Sequence, residues 1–326
     1  MEVFHQKDIS NTTFLITGGA GFIGSHIVAY LLRHGAGRVR VLDDLSTGFQ
    51  RNIDLFAGNP AFEFIQGDIR DAAVCAAACR GADYVNHQAA LGSVPRSVKD
   101  PVTSNEVNVS GFINMITAAK DAGVKAFVYA SSSSVYGDEP NLPKVEERTG
   151  NPLSPYAVTK KTGELYADVF SRLYGLKAAG LRYFNIFGPR QDPHGPYAAV
   201  IPLFISGILN QTPVYINGDG EQTRDFTFVE NAVQANIRAM LTDNDAAFGK
   251  VYNIAVGENF SVNFLYNAIR EILGREHQPT YRAPREGDIR NSLADISRAR
   301  TFLDYRPTQH FMDGLKQTVA FFREQQ

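Results

Sequence analysis

The stretch Thr13–His26, TFLITGGAGFIGSH, constrains this chain more than any other. A short β-branched and aromatic run reads as a buried strand, and the amphipathic GSHIVAYLLRHG that follows reads as a helix. Between them Gly18, Gly21 and Gly24 form a turn tight enough for a strand to feed directly into a helix. Such a turn lets backbone N–H groups and the positive helix end approach an anion closely. The spacing gains specificity from an acid closing the second strand, Asp43, 19 residues past Gly24 at the end of RVRVLD. Its carboxylate would accept hydrogen bonds from an adenosine ribose and repel a 2′-phosphate. No arginine follows directly in DDLSTG, so NAD is favoured over NADP. Asp68, in GDIR after the third strand, stands where it could meet the adenine amino group or simply cap its own turn.

Strand-like runs recur at Arg38–Asp43, Phe62–Gly67, Asp83–Gln88, Ala126–Ser131 and Lys177–Phe184, with helical stretches such as SGFINMITAAKDAG between them, that one ended by Gly123. This alternation predicts right-handed βαβ crossovers and an α/β, Rossmann-like doubly wound parallel sheet covered on both faces. After about Asn185 the rhythm breaks, and Gly and Pro thicken in NIFGPRQDPHGPY. Residues 1–184 read as a dinucleotide-binding domain and 185–326 as a smaller α+β substrate domain, with segments near 228–257 returning to the first.

Composition narrows the function classes. A net charge of −2, with no stripe of Lys or Arg, argues against nucleic acid or an anionic membrane surface as partner. The N-terminus lacks the pattern of a secretion signal, and no long apolar run occurs. Cys75 and Cys79 fall one helical turn apart on an Ala-rich helix without further ligands nearby, so they are expected to pack as small apolar residues in a reducing cytoplasm. No metal is expected, and no histidine has a partner spacing that suggests a ligand or base.

SPYAVTKKTGEL, Ser154–Leu165, carries the chemistry. Ser154 suits an N-cap and Pro155 the first helical position, which puts Tyr156 and Lys160 on one face of the first two turns. An ammonium there, with the positive helix end, would lower the tyrosine pKa from about 10 toward neutrality and make the phenol a general base. YASSSSVYG, Tyr129–Gly137, brings serines to the carboxyl edge of the fifth strand, where they can hydrogen-bond a substrate hydroxyl. Serine, tyrosine, lysine and a dinucleotide turn together describe alcohol oxidation by hydride transfer.

Gly18–Gly24, the serines before VYG and the Tyr156/Lys160 pair resemble the extended short-chain dehydrogenase/reductase family along essentially the whole chain. HQAALGSVPRS, LRYFNIFGPRQDP, YINGDGEQTRDF and REGDIRNSLADIS make the chain similar, more narrowly, to nucleotide-sugar 4-epimerases acting on UDP-N-acetylhexosamines. The resemblance implies that Tyr156 takes the proton of the sugar 4-hydroxyl, that Lys160 holds the nicotinamide ribose, and that Ser132 is the hydrogen-bonding serine, with Ser133 and Ser134 beside it. It places NAD against Gly18, Gly21, Phe22, Ile23 and Gly24, against Asp43, Asp44, Ser46, Thr47 and Gly48, and against Asp68, Ile69, Gln88, Ala89, Ala90, Asn108 and Tyr183. Arg224 and Arg285 would grip the diphosphate and Asn185 would meet the diphosphate or the sugar; Val200 and Tyr215–Asn217 would border the nucleoside, Tyr215 and Asn217 beside the uracil, with Asp288 at its ribose. Gly92, Ser93, Gln191 and Ser292 complete the implied substrate pocket, and Arg96 is a further candidate.

Ser133 and Ser134 stand where relatives that dehydrate the sugar carry an Asp-Glu pair, so elimination of water lacks its acid. Ser292, where a tyrosine commonly fills the space beside C2, and the small Gly92 leave room for an N-acetyl group. The expected activity is interconversion of UDP-N-acetylglucosamine and UDP-N-acetylgalactosamine with NAD held throughout, in polysaccharide biosynthesis. Uronic acid forms, UDP-glucose with UDP-galactose, net oxidoreduction and NAD sensing are the alternatives. The family's dimer, through helices near Pro101–Ala122 and Pro155–Tyr174, implies a homodimer, with Gly163 suited to close helix approach.

Overall fold

A computed structural model describes residues 2–193, 198–284 and 290–325. The strands that matter for the site are β1 (Thr13–Thr17), β2 (Arg38–Asp43), β3 (Phe62–Gln66), β4 (Tyr84–His87), β5 (Ala126–Ser132), β6 (Ala178–Tyr183) and β7 (Lys250–Ile254). They form one parallel sheet in the order β7-β6-β5-β4-β1-β2-β3, so the Rossmann-like doubly wound sheet expected from the sequence is the one present. The strand order reverses between β1 and β4, which opens the crevice where doubly wound sheets bind ligands. β7 comes from the second half of the chain and pairs with β6 from Lys250↔Ala179 to Ile254↔Tyr183.

The longer helices are α1 (Phe22–Arg33), α2 (Ala72–Cys79), α3 (Phe112–Asp121), α4 (Pro155–Tyr174), α5 (Val200–Leu209), α6 (Val229–Leu241), α7 (Val262–Leu273) and α8 (Phe311–Glu324). Alternate residues of one strand feed opposite cores. Phe14 and Ile16 pack with Val28, Leu31, Ala235 and Ile237 of α1 and α6, whereas Leu15 packs with Cys75, Cys79, Met115 and Ile116 of α2 and α3. Cys75 and Cys79 are buried and unpaired, as small apolar side chains would be, and burial pushes both thiols up to about 12. A further apolar cluster joins Phe204, Leu265, Phe311 and Leu315 from α5, α7 and α8 with Phe187.

The helix expected over Pro101–Ala122 is not uniform. An α-turn at Pro101–Asn105 passes into a π-helical segment, Glu106–Gly111, before α3 begins. π-Bulges of this kind frequently accompany functional positions, and Asn108 lies inside this one. Gly163 is buried on α4, where a Cβ would make ordinary contact with the Phe112 ring of α3 at 3.6 Å. No helix among the described residues is long and apolar enough to cross a membrane.

Candidate active site

The glycine turn ends β1 and starts α1 at the carboxyl edge of the sheet. Gly18 takes φ +68°, and a Cβ on it would lie 2.6 Å from the Ala89 nitrogen, so the end of β4 can approach only a glycine. A Cβ on Gly24 would lie 2.2 Å from the Gly18 carbonyl, which ties the helix to its own turn. Gly21 N-caps α1 with no side chain over its N-terminus, as an anion-binding helix end requires.

A cavity of about 320 Å³ opens in front of this turn. Gly18, Gly21, Phe22, Ile23, Gly24, Asp43, Asp44, Ser46, Thr47, Gly48, Ile69, Gln88, Ala89, Ala90, Gly92, Tyr156, Lys160 and Tyr183 line it, so the structure collects most of the sequence-derived cofactor residues in one place. Asp43 Oδ2 accepts from the Ala20 N–H at 3.0 Å and Oδ1 from the Leu45 N–H at 2.9 Å. Burial nevertheless raises its pKa, the two backbone donors offsetting part of that cost. Sequence reasoning passed over Leu42, Gly67, Leu91, Val107, Ala130 and Ser131, which also line the cavity, because small and apolar wall residues carry no motif.

Asp68 is placed otherwise. Its carboxylate caps its own turn through the Arg70 N–H at 2.8 Å and pairs with the Arg70 guanidinium at 2.6 Å, and it does not line the cavity. Asn108 is also absent from the wall but holds it from behind. Its Oδ1 accepts from the Leu91 N–H at 2.8 Å, and its Nδ2 donates to the Leu91 carbonyl at 3.1 Å and to Thr159 Oγ1 at 3.2 Å.

Ser154 caps α4 by accepting from the Ala157 N–H at 3.1 Å, and the Tyr156 N–H donates to Ser97 Oγ at 2.9 Å, which fixes the first turn. Lys160 Nζ donates to the Ala130 carbonyl at 2.9 Å, and burial lowers its pKa to about 8. The expected depression of the tyrosine pKa is not found in this geometry. Burial raises the Tyr156 pKa, and the compensating influence is a hydrogen bond with Ser132 rather than the ammonium, which lies 5.8 Å from the ring centre. Ser132 Oγ also accepts from the Ser134 N–H at 3.1 Å, and Ser134 Oγ is buried without a partner.

The implied substrate residues fall in several places. Ser93 (φ +106°) and Asn185 (φ +37°) both sit in strained backbone, Ser93 accepting from the Arg96 N–H and Asn185 donating to the Asp225 carbonyl at 3.0 Å. Arg224 Nη1 donates to the Thr223 carbonyl at 2.9 Å, and the Ser292 N–H donates to the Thr223 carbonyl at 3.1 Å, so Arg224 and Ser292 share one small ladder. Val200, Tyr215 and Asn217 line a second hollow of about 310 Å³, where the Arg282 guanidinium stacks over the Tyr215 ring at 3.0 Å. Gln191 points elsewhere: its Nε2 donates to the Ile186 carbonyl at 3.3 Å, and it lines a cavity with Arg51, Arg190 and Phe321. Arg285 and Asp288 lie outside the described residues.

A switch-point cavity lined by a glycine turn, a buried acid closing β2 and a Tyr/Lys pair defines a dinucleotide-dependent α/β enzyme. The model of the NAD dependent epimerase/dehydratase family matches residues 14–255, and the chain belongs to that family. A UDP-glucose 4-epimerase of Mycolicibacterium smegmatis is 40% identical over 311 residues, covering 95% of this chain and 98% of that protein. Among solved structures, a UDP-N-acetylglucosamine 4-epimerase from Methanobrevibacter ruminantium in complex with UDP-N-acetylmuramic acid superposes with a TM-score of 0.91 at 40% identity, over 97% and 99% of the two chains. A UDP-glucuronic acid 4-epimerase from Bacillus cereus, bound to UDP-glucuronic acid and NAD, superposes with a TM-score of 0.90 at 31% identity, over 97% and 100%. Within that broader family, these likenesses place the chain in the NAD-dependent nucleotide-sugar 4-epimerase family.

Proposed function

We propose that the preferred reaction is the reversible interconversion of UDP-N-acetylglucosamine and UDP-N-acetylgalactosamine. The observation that carries this reading is the space at Gly92: a Cβ built there meets nothing within 4 Å, at the wall of the cofactor cavity. The small Ser292 and the likeness to a UDP-N-acetylglucosamine 4-epimerase support it. NAD would be held by the Gly18–Gly24 turn, Asp43, Gln88, Ala89, Lys160 and Tyr183, and when bound it supplies the hydride acceptor and donor. The chain's own part is proton handling and grip. Tyr156 takes the 4-hydroxyl proton and returns it after the ketone has presented its other face, while Ser132 and Ser134 orient the hydroxyl. Asn185, Arg224 and Arg285 hold the diphosphate so that the ketone cannot leave, and Val200, Tyr215 and Asn217 border the nucleoside, with Asp288 at its ribose.

The test is UDP-N-acetylglucosamine with purified protein and no added NAD, read by NMR. UDP-N-acetylgalactosamine forms, and formation is lost in Tyr156→Phe. Conversion of UDP-glucose or UDP-glucuronate alone overturns the N-acetyl preference. Ser292→Tyr is expected to depress turnover of the N-acetylated pair about tenfold or more, at least about 1.4 kcal/mol of steric discrimination, while sparing UDP-glucose.

We infer also that two copies pair through α4 and the Val94–Asn105 region. Val98, Val102, Leu165 and Leu173 on these elements are each more than half exposed, apolar surface that a second copy would cover. Light scattering is expected to give twice the chain mass, and Leu165→Lys to give the monomer.

A further inference from the structure

Asn236 belongs to α6, in the second half of the chain, and does not line the cofactor cavity. It is fully buried, yet its amide is bonded at every position. Nδ2 donates to the Tyr183 hydroxyl at 2.8 Å and to the Ala232 carbonyl at 2.7 Å. The Tyr183 hydroxyl donates to Gln88 Oε1 at 3.1 Å, and Gln88 Nε2 donates back to Asn236 Oδ1 at 3.1 Å. These three bonds close a ring. Asn86 braces it from below, donating to Asn236 Oδ1 at 2.9 Å and accepting from Gln88 Nε2 at 2.7 Å.

The ring spans the sheet in an informative way. Gln88 follows β4 and Tyr183 ends β6, so Asn236 reaches across β5, whose Ala130 carbonyl receives Lys160 on its way to Ser132. Ser132 is the register partner of Tyr183 and the hydrogen-bond partner of Tyr156. Gln88 and Tyr183 both line the cavity, at the end that holds Tyr156 and Lys160. Free of the ring, each would have rotamers to choose from; within it, neither can turn without leaving a buried donor or acceptor unmatched.

We propose that Asn236 is a positioning residue for the cofactor: its amide locks Gln88 and Tyr183 into the wall that holds the reactive end of NAD. This rests on the epimerase reading for its kinetic signature but not for its binding signature. A polar amide inside a helix buried against the sheet contributes nothing that an apolar residue would not, unless the two side chains it orders matter.

The experiment compares holoenzyme with Asn236→Asp, which keeps the shape and the acceptor but removes both donors, and with Tyr183→Phe, which opens the same ring while leaving Asn236 in place. Bound NAD per purified chain and the rate at which NAD is lost on dilution are measured first. Then kcat, KM for the UDP-sugar and the fraction of cofactor trapped as NADH during turnover are read by nicotinamide fluorescence. Both variants are expected to lose NAD about tenfold faster, and to lower kcat about tenfold with KM within about twofold, because misplaced reactive groups lose rate before they lose binding. Trapped NADH rises. Should Asn236→Asp not fold, Asn236→Ser decides, since Tyr183→Phe also removes a hydroxyl of a residue that itself lines the cavity. Unchanged NAD loss and unchanged kcat per folded molecule in the variants, whatever happens to Tm, overturn the proposal. Faster NAD loss from the variants of a wild type that converts no UDP-sugar would leave the positioning role standing and sink the epimerase reading instead.

Discussion

Lys160 lies one helical turn beyond Tyr156, its ammonium 5.8 Å from the centre of the phenol ring and bonded instead to the Ala130 carbonyl. The charge is therefore held at the edge of β5, in a buried position that lowers its pKa to about 8. In the unfolded chain the same group titrates near about 10.4, so between these values the unfolded state binds more protons and stability rises with pH. Lys160→Met is expected to remove that rise, and at neutral pH to increase Tm while lowering kcat at least about a hundredfold. Thermal melts of cofactor-stripped protein across pH 7 to about 10.5, beside a turnover assay, check both halves.

Asn108 grips both polar groups of the Leu91 backbone from inside the π-helical segment. Asn108→Ala strands a buried N–H and carbonyl, at a cost of about 1–3 kcal/mol. Because Leu91 and its neighbours Ala89 and Ala90 line the cofactor cavity, the loss falls on NAD retention as well as on unfolding. Denaturant melts and nucleotide content of the purified variant read the two effects.

Glu164 and Arg182 form a buried bidentate pair, at 2.8 and 2.9 Å, with Ser131 donating to the same carboxylate at 2.6 Å. Arg182 also reaches the Glu146 carbonyl at 3.1 Å and stacks on Tyr136. Glu164→Ala leaves a buried guanidinium without its counter-charge and is expected to cost about 3–5 kcal/mol, whereas Glu164→Leu with Arg182→Met together cost far less. Urea unfolding of the single and double variants measures that non-additivity.

The strands, the glycine turn and Asp43 could be read from the chain because each is a local matter of period and turn chemistry. Tyr156, Lys160 and the cap Ser154 were legible for the same reason. What escaped depends on distance in sequence. Asn236 meets Gln88 and Tyr183 only because α6 returns to the sheet, and nothing in VENAVQANIRAML marks its asparagine as different from the others. Asp68 caps its own turn and pairs with Arg70, two residues on, one of the two roles its place in GDIR allows. The π-segment around Asn108 has no sequence signature of its own. The lowered tyrosine pKa is not met because spacing on a helix says nothing of burial, which is the largest influence on the phenol and is opposed by Ser132 rather than by the ammonium.

Asp225 is fully buried beside Arg224, and it accepts from the Val256 and Gly257 N–H groups at 3.1 Å and from the Ala294 N–H at 3.4 Å. It thereby ties the end of β7 to the segment that carries Ser292. Burial raises its pKa to about 7, with the Glu258 charge adding to the rise against three backbone donors that oppose it. An unfolded aspartate titrates near about 3.9, so the folded state binds the extra proton between these values. Its contribution to stability is full below about pH 4 and is lost as the pH climbs through about 7. Asp225→Asn cannot titrate, although its amide turns a donor toward three donors and lowers stability at every pH. The Tm difference between wild type and Asp225→Asn is therefore expected to shrink steadily from about pH 4 to about pH 7. Melts in a series of buffers of matched ionic strength read that difference; a gap that widened with pH would mean that the carboxylate is stabilised in place and that Asp225 is charged when Ser292 meets its substrate.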